Sequence, residues 1–410
     1  MNQNFSGKNA YEHLRVLAEE IGPRHGGSKN EDKASQYIYD YFKKIGLKTR
    51  FQQFPIYSFE TADASLRIPG GKELSCIAIP ITANTSPSGI TKPVIFLEGN
   101  EAAHLDAGVS GKIVVMFNSF TEDLLKRFIS YKPAGLVSIQ TRPNMKHLRK
   151  PGNSGTNRKY GSVPSILMTL NDGLALVKNL PEKLTMQVTT KQERVTKGRN
   201  VIADLPGCEP DDDLIGVCAH YDSVWAGPGA FDNGAGTAAM MELARVYKES
   251  GTRRNLRFMA FGGEEMGVWG SKYYIKVLHD EDVKIKKNKD FELDGLCTEL
   301  DNHRFLINLD MMGPLYGTST AVPFGDTDIA AATRLLANEL RYAITIRDQI
   351  VYSSDNMTFN HVGIPGISFY RGPFESVGGH TEEDTIKSCS PEGLAHIGKF
   401  IEAWIDRYVE

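Results

Sequence analysis

The chain has 410 residues, of which 41% are hydrophobic and 24% are charged, and its formal net charge is -3. This length accommodates two or three domains with a large buried core. The near-neutral charge gives no electrostatic reason to expect nucleic acid or an anionic membrane as a partner, and no apolar run is long enough to span a bilayer.

The first residues and the cysteines bear on the cellular compartment. Residues 1–8 lack the apolar core of a signal peptide. The cysteines are odd in number, widely spaced and without a CxxC pair, which argues against a disulfide scaffold or a thiolate zinc site. We therefore expect a cytoplasmic location, or secretion if a leader has been removed, and the oligomeric state stays open.

The amino-terminal segment is predicted to contain two helices and a strand. Apolar residues at helical spacing predict a helix over residues 8–21. Asn30 is a candidate cap for a second helix over residues 31–45, which Gly46 would end. The alternation of polar and apolar residues over 47–57 predicts a strand.

The texture of the sequence changes between residues 62 and 190. Short β-rich runs, such as residues 112–116, are separated by Gly, Pro, Ser and Asn, and no cluster of candidate metal ligands occurs there. We therefore predict that residues 62–190 form an inserted β-rich domain. Residues 1–61 and 191–410 would form the other domain.

From residue 191 onwards, predicted strands alternate with predicted helices. This alternation favours an α/β fold with a mostly parallel central sheet and helices on both faces. The charged stretch 279–303 is predicted to be an excursion loop. The predicted strands are 201–205, 214–219, 256–261, 305–309 and 364–370, and the predicted helices are 234–248, 329–340 and 391–408.

Histidines and carboxylates follow several of these predicted strands. In an open α/β sheet the carboxyl ends of the strands meet at one crevice, where ligands bind. Histidine, aspartate and glutamate are ligands of zinc, so the pattern predicts a hydrolase with two metal ions. The residues concerned are His220, Asp222, Asp232, Glu264, Glu265, Asp310 and His380.

The first three of these residues each have a structural alternative. In the unit His220-x-Asp222 the carboxylate can orient the imidazole, although such a pair also occurs in ordinary surface loops. Asp232 lies in a Gly-rich loop, where it can place its two oxygens on two cations or cap the following helix. Both readings of Asp232 are compatible with each other.

The remaining carboxylates are more informative. Adjacent Glu264 and Glu265 repel each other unless a positive centre or a shared proton offsets their charges. One of them can ligate a metal while the other acts as a general base. Asp310 follows an apolar strand, where an unpaired carboxylate would be costly to bury. His380 has Asp384 as a candidate partner.

Taken in order, these motifs resemble the di-zinc exopeptidases of metallopeptidase family twenty-eight, which includes aminopeptidase Y and bacterial leucyl aminopeptidases. Residues 21–28 resemble a segment common in that family, and residues 111–115 resemble part of its protease-associated domain, so the similarity covers nearly the whole chain. The motifs are His220-x-Asp222-Ser223, Asp232-Asn233, Glu264-Glu265, Asn308-Leu309-Asp310-Met311 and Gly379-His380-Thr381.

The resemblance implies a set of metal ligands. Asp232 would bridge two zinc ions, for which Co²⁺ or Mn²⁺ could substitute. His220 and Asp310 would complete one zinc site. Glu265 and His380 would complete the other.

The resemblance also implies catalytic roles. Glu264 would be the general base on a water held between the two zinc ions and would pass the proton to the leaving amine. Asp222 would orient the imidazole, and Tyr370 would steady the tetrahedral intermediate. Many relatives have Ser-Asp-His where this chain has Ser354-Asp355-Asn356, so Asp355 is either structural or substrate-facing.

The implied activity is hydrolysis of peptides by an exopeptidase, and family frequency favours an aminopeptidase. A carboxypeptidase or dipeptidase stays open, with Arg371 as the candidate partner of a terminal carboxylate. An N-acyl amino acid deacylase is a further alternative on the same type of site. A receptor-like homologue without activity is disfavoured because all the ligands and the base are present, and a glutaminyl cyclase shares only parts of the motif.

Overall fold

The computed structural model describes residues 4–80, 82–98, 108–117, 122–140, 163–209, 213–225, 227–287, 298–347, 354–372 and 378–409. The chain divides into two compact units, of which one comprises residues 1–56 and 197–410 and the other residues 57–196. Among the helices within these described ranges, none combines the length and the apolar character needed to cross a membrane.

The regular elements are numbered here in chain order. The helices are α1 (Gly7–Arg15), α2 (Lys29–Lys44), α3 (Glu122–Ser130), α4 (Leu170–Lys178), α5 (Ala235–Ser250), α6 (Trp269–Lys287), α7 (Glu299–Asn302), α8 (Asp328–Glu339), α9 (Asn356–His361) and α10 (Pro391–Tyr408). The strands are β1 (Lys48–Arg67), β2 (Glu73–Leu74), β3 (Ile77–Ala78), β4 (Ile90–Leu97), β5 (Ile113–Phe117), β6 (Gly135–Ile139), β7 (Ser165–Met168), β8 (Lys183–Leu205), β9 (Leu214–His220), β10 (Asn255–Phe261), β11 (His303–Leu309), β12 (Ser319–Phe324), β13 (Ile344–Ile346) and β14 (Gly366–Arg371).

The larger unit is built on one mixed sheet. Its strands follow the order β13-β12-β14-β11-β9-β10-β8. The four strands β14, β11, β9 and β10 run parallel to one another, whereas β12 is antiparallel to β14 and β8 is antiparallel to β10. The mostly parallel central sheet predicted from the sequence is therefore confirmed.

Helices pack on both faces of this sheet, because side chains alternate along each strand. On β10, Leu256 and Phe258 belong to the large buried cluster that also contains residues of α1, α2, α5 and α10. Met259 and Phe261, which point to the opposite face, belong to a second cluster with residues of α6 and α9. The two clusters are the two apolar layers of the fold, and they fix the strand ends that carry the polar site.

The amino-terminal helices differ in detail from the prediction. The first regular helix, α1, ends at Arg15 and continues as a π-helical turn over Val16–Ile21. The predicted cap Asn30 lies inside α2. Ser28 caps this helix instead, since its side chain accepts a hydrogen bond from the backbone N–H of Glu31.

The predicted excursion loop over residues 279–303 is wrong in its first part. Helix α6 continues through residue 287, because Tyr274, Ile275 and Leu278 supply a buried apolar stripe. Lys276 and Asp280 form an ion pair one turn apart on its exposed side. Residues 288–297 lie outside the described residues.

The smaller unit contains a sheet of its own. Strands β4, β5, β6 and β7 are parallel neighbours in that order, and β3 is antiparallel to β7. Val114, Met116, Phe128 and Leu136 form part of its core. The unit therefore contains helices packed with a parallel sheet, and its identity as a protease-associated domain stays a prediction.

The junctions between the units fall within two long strands, β1 and β8. The predicted limits, residues 62 and 190, also lie within these strands. A strand continues through each junction, so no turn in the sequence marks its exact position.

Candidate metal centre

The polar residues that follow the strands are collected at the carboxyl edge of the parallel sheet. His220 is the last residue of β9, and Asp310 follows β11 directly. Glu264 and Glu265 lie in the turn between β10 and α6. Asp232 lies in a π-helical turn over Ala230–Gly234 that leads into α5, and His380 lies in a turn after β14.

Two groups of potential ligands form at this edge and share Asp232. The first group joins Nε2 of His220 to Oδ1 of Asp232 and to Oδ1 of Asp310, each at 3.3 Å. The second joins Nε2 of His380 to Oδ2 of Asp232 at 3.2 Å and to Oε2 of Glu265 at 3.1 Å. Each oxygen of Asp232 thus belongs to a different group.

These spacings fit the ligand shell of a small divalent cation. Nitrogen and oxygen ligands at 2.0–2.2 Å from a tetrahedral zinc ion lie about 3.4 Å from one another. Within each group the ligand atoms lie within 4.8 Å of one another. The buried oxygens Glu265 Oε1 and Asp310 Oδ1 make no hydrogen bond with any residue that the structure describes, and such atoms normally have a partner.

Asp222 connects the two sides of the site. Its Oδ1 accepts a hydrogen bond from the backbone N–H of Glu264 at 3.0 Å, and its Oδ2 accepts one from Glu265 at 3.1 Å. The same Oδ1 lies 3.5 Å from Nδ1 of His220. The fully buried carboxylate therefore holds the backbone of both glutamates and lies beside the imidazole, and its role in orienting His220 stays a prediction.

Asp384 holds the loop that carries Asp232. Its two carboxylate oxygens accept hydrogen bonds from the backbone N–H groups of Phe231, at 2.7 Å, and Asp232, at 3.0 Å. Burial raises the pKa of this carboxyl to about 8. The sequence indicated a partner for His380 at this position but gave no sign of these contacts with the Asp232 loop.

The electrostatics of the site reflect close packing of carboxylates and imidazoles. Burial favours the neutral form of Asp232, but hydrogen bonds from His220 and His380 outweigh it, and the pKa of Asp232 falls below its usual range. Burial opposes protonation of His380, yet Glu265 and Asp232 raise the pKa of its imidazole to about 10. Cationic partners are therefore strongly favoured beside these carboxylates.

Glu264 stands apart from both ligand groups. Its Oε2 lies 4.0 Å from Nε2 of His220. Burial raises the pKa of Glu264 well above its usual range, His220 acts in the opposite direction, and the neighbouring Glu265 raises it further. The side chain is a largely buried carboxyl next to the ligands, 12% exposed, and a carboxyl with a raised pKa is a candidate for proton exchange.

Three other predicted residues lie close in sequence or space. Tyr370 is on β14 and packs in the large core cluster. Asp355 is fully buried, and burial raises its pKa to about 7, so both of its predicted roles stay open. Arg371 donates three hydrogen bonds to protein acceptors, the carbonyl oxygens of Pro314 and Leu315 and the hydroxyl of Ser319.

Sequence reasoning did not assign a role to two buried charged residues of the amino-terminal segment. Arg24 donates to the backbone of the segment that contains Asp222. Glu31 accepts a hydrogen bond from Gly27 at 2.6 Å, and its Oε1 approaches Gly262, just before the two glutamates. The only signal in the sequence was the resemblance of residues 21–28 to a family segment.

Comparisons with known proteins agree with this geometry. Residues 200–405 match the model of a family described as Peptidase family M28. Aminopeptidase YwaD of Bacillus subtilis (strain 168) is 29% identical to the chain over 408 residues, which cover 97% of this chain and 84% of that protein. Carboxypeptidase Q of Rattus norvegicus is 26% identical over 295 residues, which cover 67% of this chain and 62% of that protein.

A solved structure extends the likeness to the whole fold. The crystal structure of BSAP, a zinc aminopeptidase from Bacillus subtilis, matches with a TM-score of 0.79 at 25% identity, over 99% of this chain and 96% of that chain. The match therefore includes the smaller unit as well as the larger one. Together with the family match, it confirms the resemblance to metallopeptidase family twenty-eight.

Proposed function

The chain belongs to peptidase family M28, and on that basis we propose that it is a zinc-dependent aminopeptidase that removes residues from the amino end of peptides. The proposal depends on one observation: Oδ1 of Asp232 lies beside His220 in one ligand group, and Oδ2 lies beside His380 in the other. A single carboxylate in this position would be a ligand common to two cations, as the two-metal hydrolases require.

Five residues would hold the ions. Asp232, His220 and Asp310 would bind one zinc ion, and Asp232, Glu265 and His380 would bind the other. Zinc bound in such a site supplies a Lewis acid and lowers the pKa of water.

Glu264 is the residue of this chain that would move the proton. It belongs to neither ligand group, and burial raises its pKa well above the usual range, which favours the protonated form that can give up a proton. The carboxylate would take a proton from the attacking water and deliver it to the nitrogen of the leaving amine. Asp222 would keep Glu264 in place through its backbone N–H.

The charges around the site support an aminopeptidase over a carboxypeptidase. A carboxypeptidase requires a cation that recognises the terminal carboxylate of the substrate, and a guanidinium group suits that task. Arg371, the sequence candidate, uses its guanidinium to hold the loop over residues 314–319. An α-amine is instead compatible with a site rich in carboxylates. The sequence relative and the solved structure that align over nearly the whole chain, both from Bacillus subtilis, carry the name aminopeptidase.

Carboxypeptidase activity is the second candidate, because carboxypeptidase Q is also among the relatives. The chain covers 62% of the length of that protein. Hydrolysis of N-blocked peptides together with failure on free-amine substrates would favour this candidate.

The proposal is tested by two substitutions in the site. Glu264→Gln removes the base but no ligand, so we expect it to retain zinc while kcat falls by roughly 10²–10⁴-fold, the usual contribution of a general base. Asp232→Ala removes a ligand from both groups and is expected to lose zinc and activity together. Zinc content is measured by mass spectrometry and activity with an aminoacyl anilide.

The matched control is Glu19→Gln, which makes the same chemical change at an exposed position. It is expected to leave both zinc content and kcat unchanged. A Glu264→Gln protein that turns over at the wild-type rate would contradict the assignment of the base. Full zinc occupancy in Asp232→Ala would contradict the shared-ligand assignment.

A further inference from the structure

Arg24 is an arginine with no exposed surface. Its Nε donates to the carbonyl oxygen of Tyr221 at 2.5 Å, and its Nη2 donates to that of Gly229 at 2.7 Å. Its Nη1 donates to the carbonyl oxygen of Pro228. The guanidinium thus spans two stretches of backbone, one on each side of the turn that begins after β9.

The backbone of Arg24 also forms hydrogen bonds with the segment that follows β9. Its N–H donates to the hydroxyl of Ser223 at 3.1 Å, and its carbonyl oxygen accepts from the N–H of Ser223 at 3.4 Å. Residues 221–223 include Asp222, the carboxylate that contacts His220 and both glutamates. One residue of the amino-terminal segment therefore fixes the chain around Asp222 from two directions.

The loop that leads to Asp232 is held from both sides by hydrogen bonds. Arg24 donates hydrogen bonds to the carbonyl oxygens of Pro228 and Gly229, whereas Asp384 accepts hydrogen bonds from the N–H groups of Phe231 and Asp232. The loop also packs closely, since a Cβ added at Gly229 would lie 2.4 Å from Cβ of Ser223. Such a loop has little freedom to move its carboxylate.

We propose that Arg24 is a positioning residue that, together with Asp384, sets the backbone of Asp222 and Asp232 in the geometry required for binding two cations. The inference rests on the proposed function, because it concerns the same site. Arg24 touches none of the ligand side chains through the hydrogen bonds named above. It acts on them through the backbone that carries them.

The shape of the guanidinium is essential to this role. Arginine presents its donors in a rigid planar fork, whereas lysine has one compact ammonium group. A lysine at this position would keep the positive charge but could not reach the carbonyl oxygens of Tyr221, Pro228 and Gly229 together. Arg24→Lys therefore separates the effect of the fork from the effect of the charge.

The experiment compares Arg24→Lys and Arg24→Met with the wild-type protein. The dissociation constants for Zn²⁺ are measured by competition with a chelator, and the visible spectrum of the Co²⁺-loaded protein reports the ligand geometry. Loss of a residue that orients metal ligands typically weakens metal binding by about 10–100-fold. We expect both variants to show this loss and an altered cobalt spectrum.

Arg15→Met is the matched control, because Arg15 is partly exposed and pairs with surface glutamates. It is expected to bind Zn²⁺ as the wild type does. Thermal unfolding of the metal-free proteins separates positioning from a general loss of stability. An Arg24 variant that melts at a lower temperature but, while folded, binds Zn²⁺ with wild-type affinity and gives the wild-type cobalt spectrum would overturn the inference.

A second residue keeps the inference testable if neither Arg24 variant folds. Asp384→Asn loosens the opposite side of the same loop and is expected to show the same weaker Zn²⁺ binding and the same spectral change. In that case wild-type behaviour of Asp384→Asn would overturn the inference. Failure of the proposed function is distinguishable, because the wild-type protein itself would then bind no Zn²⁺ or would not cleave peptides with a free amine.

Discussion

Replacement of Asp222 by asparagine is the most informative single change in the site. The carboxylate accepts one backbone N–H with each oxygen, from Glu264 at 3.0 Å and from Glu265 at 3.1 Å. Asparagine has nearly the same shape but only one accepting oxygen. Its NH₂ group would face a second N–H donor, so one buried donor would lose its partner.

The expected loss of stability in Asp222→Asn follows from these two hydrogen bonds. A buried donor left without a partner costs about 1–3 kcal/mol. The substitution also removes a negative charge that raises the pKa of Glu31 and Asp355, after the larger effect of burial on both, and this relief of repulsion offsets part of the loss. We therefore expect the free energy of unfolding of the metal-free protein to fall by only about 1–2 kcal/mol.

Metal binding is expected to respond more strongly than stability. Asp222 accepts the backbone N–H of Glu265 and lies beside His220, and loss of an orienting partner commonly weakens metal affinity by about 10–100-fold. Chelator competition measures the affinity, and denaturant unfolding of the metal-free protein measures the stability. Asp63→Asn, at an exposed position, is the control. Zn²⁺ affinity of Asp222→Asn within twofold of wild type would refute the reasoning.

Three further predictions concern packing, pH and metal removal. Gly262→Ala would place a Cβ 2.6 Å from Oε1 of Glu31 and is expected to lower the free energy of unfolding by about 1–3 kcal/mol. Gly71→Ala is the control, because its Cβ would lie 3.4 Å from Ile68. A Gly262→Ala protein with the denaturant unfolding curve of the wild type would contradict the clash. Burial lowers the pKa of His303 from 6.5 to about 4, so between these pH values the unfolded state binds more protons than the folded state. The free energy of unfolding of the metal-free protein therefore falls as the pH drops through this window, by up to about 3 kcal/mol. His303→Gln is expected to flatten that part of the curve of stability against pH. A slope equal to that of the wild type would refute the role of His303. Zn²⁺ at a hundredfold excess over its dissociation constant is expected to stabilise the protein by about 2.7 kcal/mol. Removal of the metal with a chelator should therefore lower the unfolding temperature. An equal unfolding temperature with and without chelator would show that no metal binds the folded state.

The positions of the candidate ligands were accessible from the sequence because of a general property of parallel sheets. Apolar runs predicted the strands, and the carboxyl ends of parallel strands meet at one edge. His220 and Asp310 follow their strands directly, so their proximity needed only the strand assignments. The structure brings them within 3.3 Å through that arrangement.

The residues that support the ligands were not accessible in the same way. Arg24 and Asp384 act on backbone atoms far along the chain, about 200 and 150 residues away. Backbone partners leave no pattern of residue types in a single sequence. For the same reason the hydrogen bonds that engage Arg371 were invisible, and its guanidinium looked available for a substrate.

Local signals also failed where packing overrides them. The charged residues after 279 favoured a loop, but the buried stripe of α6 extends the helix. Ser28 and Asn30 are both good caps by type, and only the backbone geometry selects Ser28. The parallel strands of the smaller unit are short, and short apolar runs do not reveal how they pair.

The most direct test of the central claim is the zinc content of the purified protein, measured by mass spectrometry, together with the cleavage of aminoacyl anilides and their N-acetylated counterparts. Two ligand groups that share Asp232 predict about two zinc ions per chain and cleavage of the free-amine substrates alone. Cleavage of only the blocked substrates would contradict the aminopeptidase assignment and favour a carboxypeptidase or deacylase. A protein that binds no zinc, even after zinc is added, would contradict the metal centre itself.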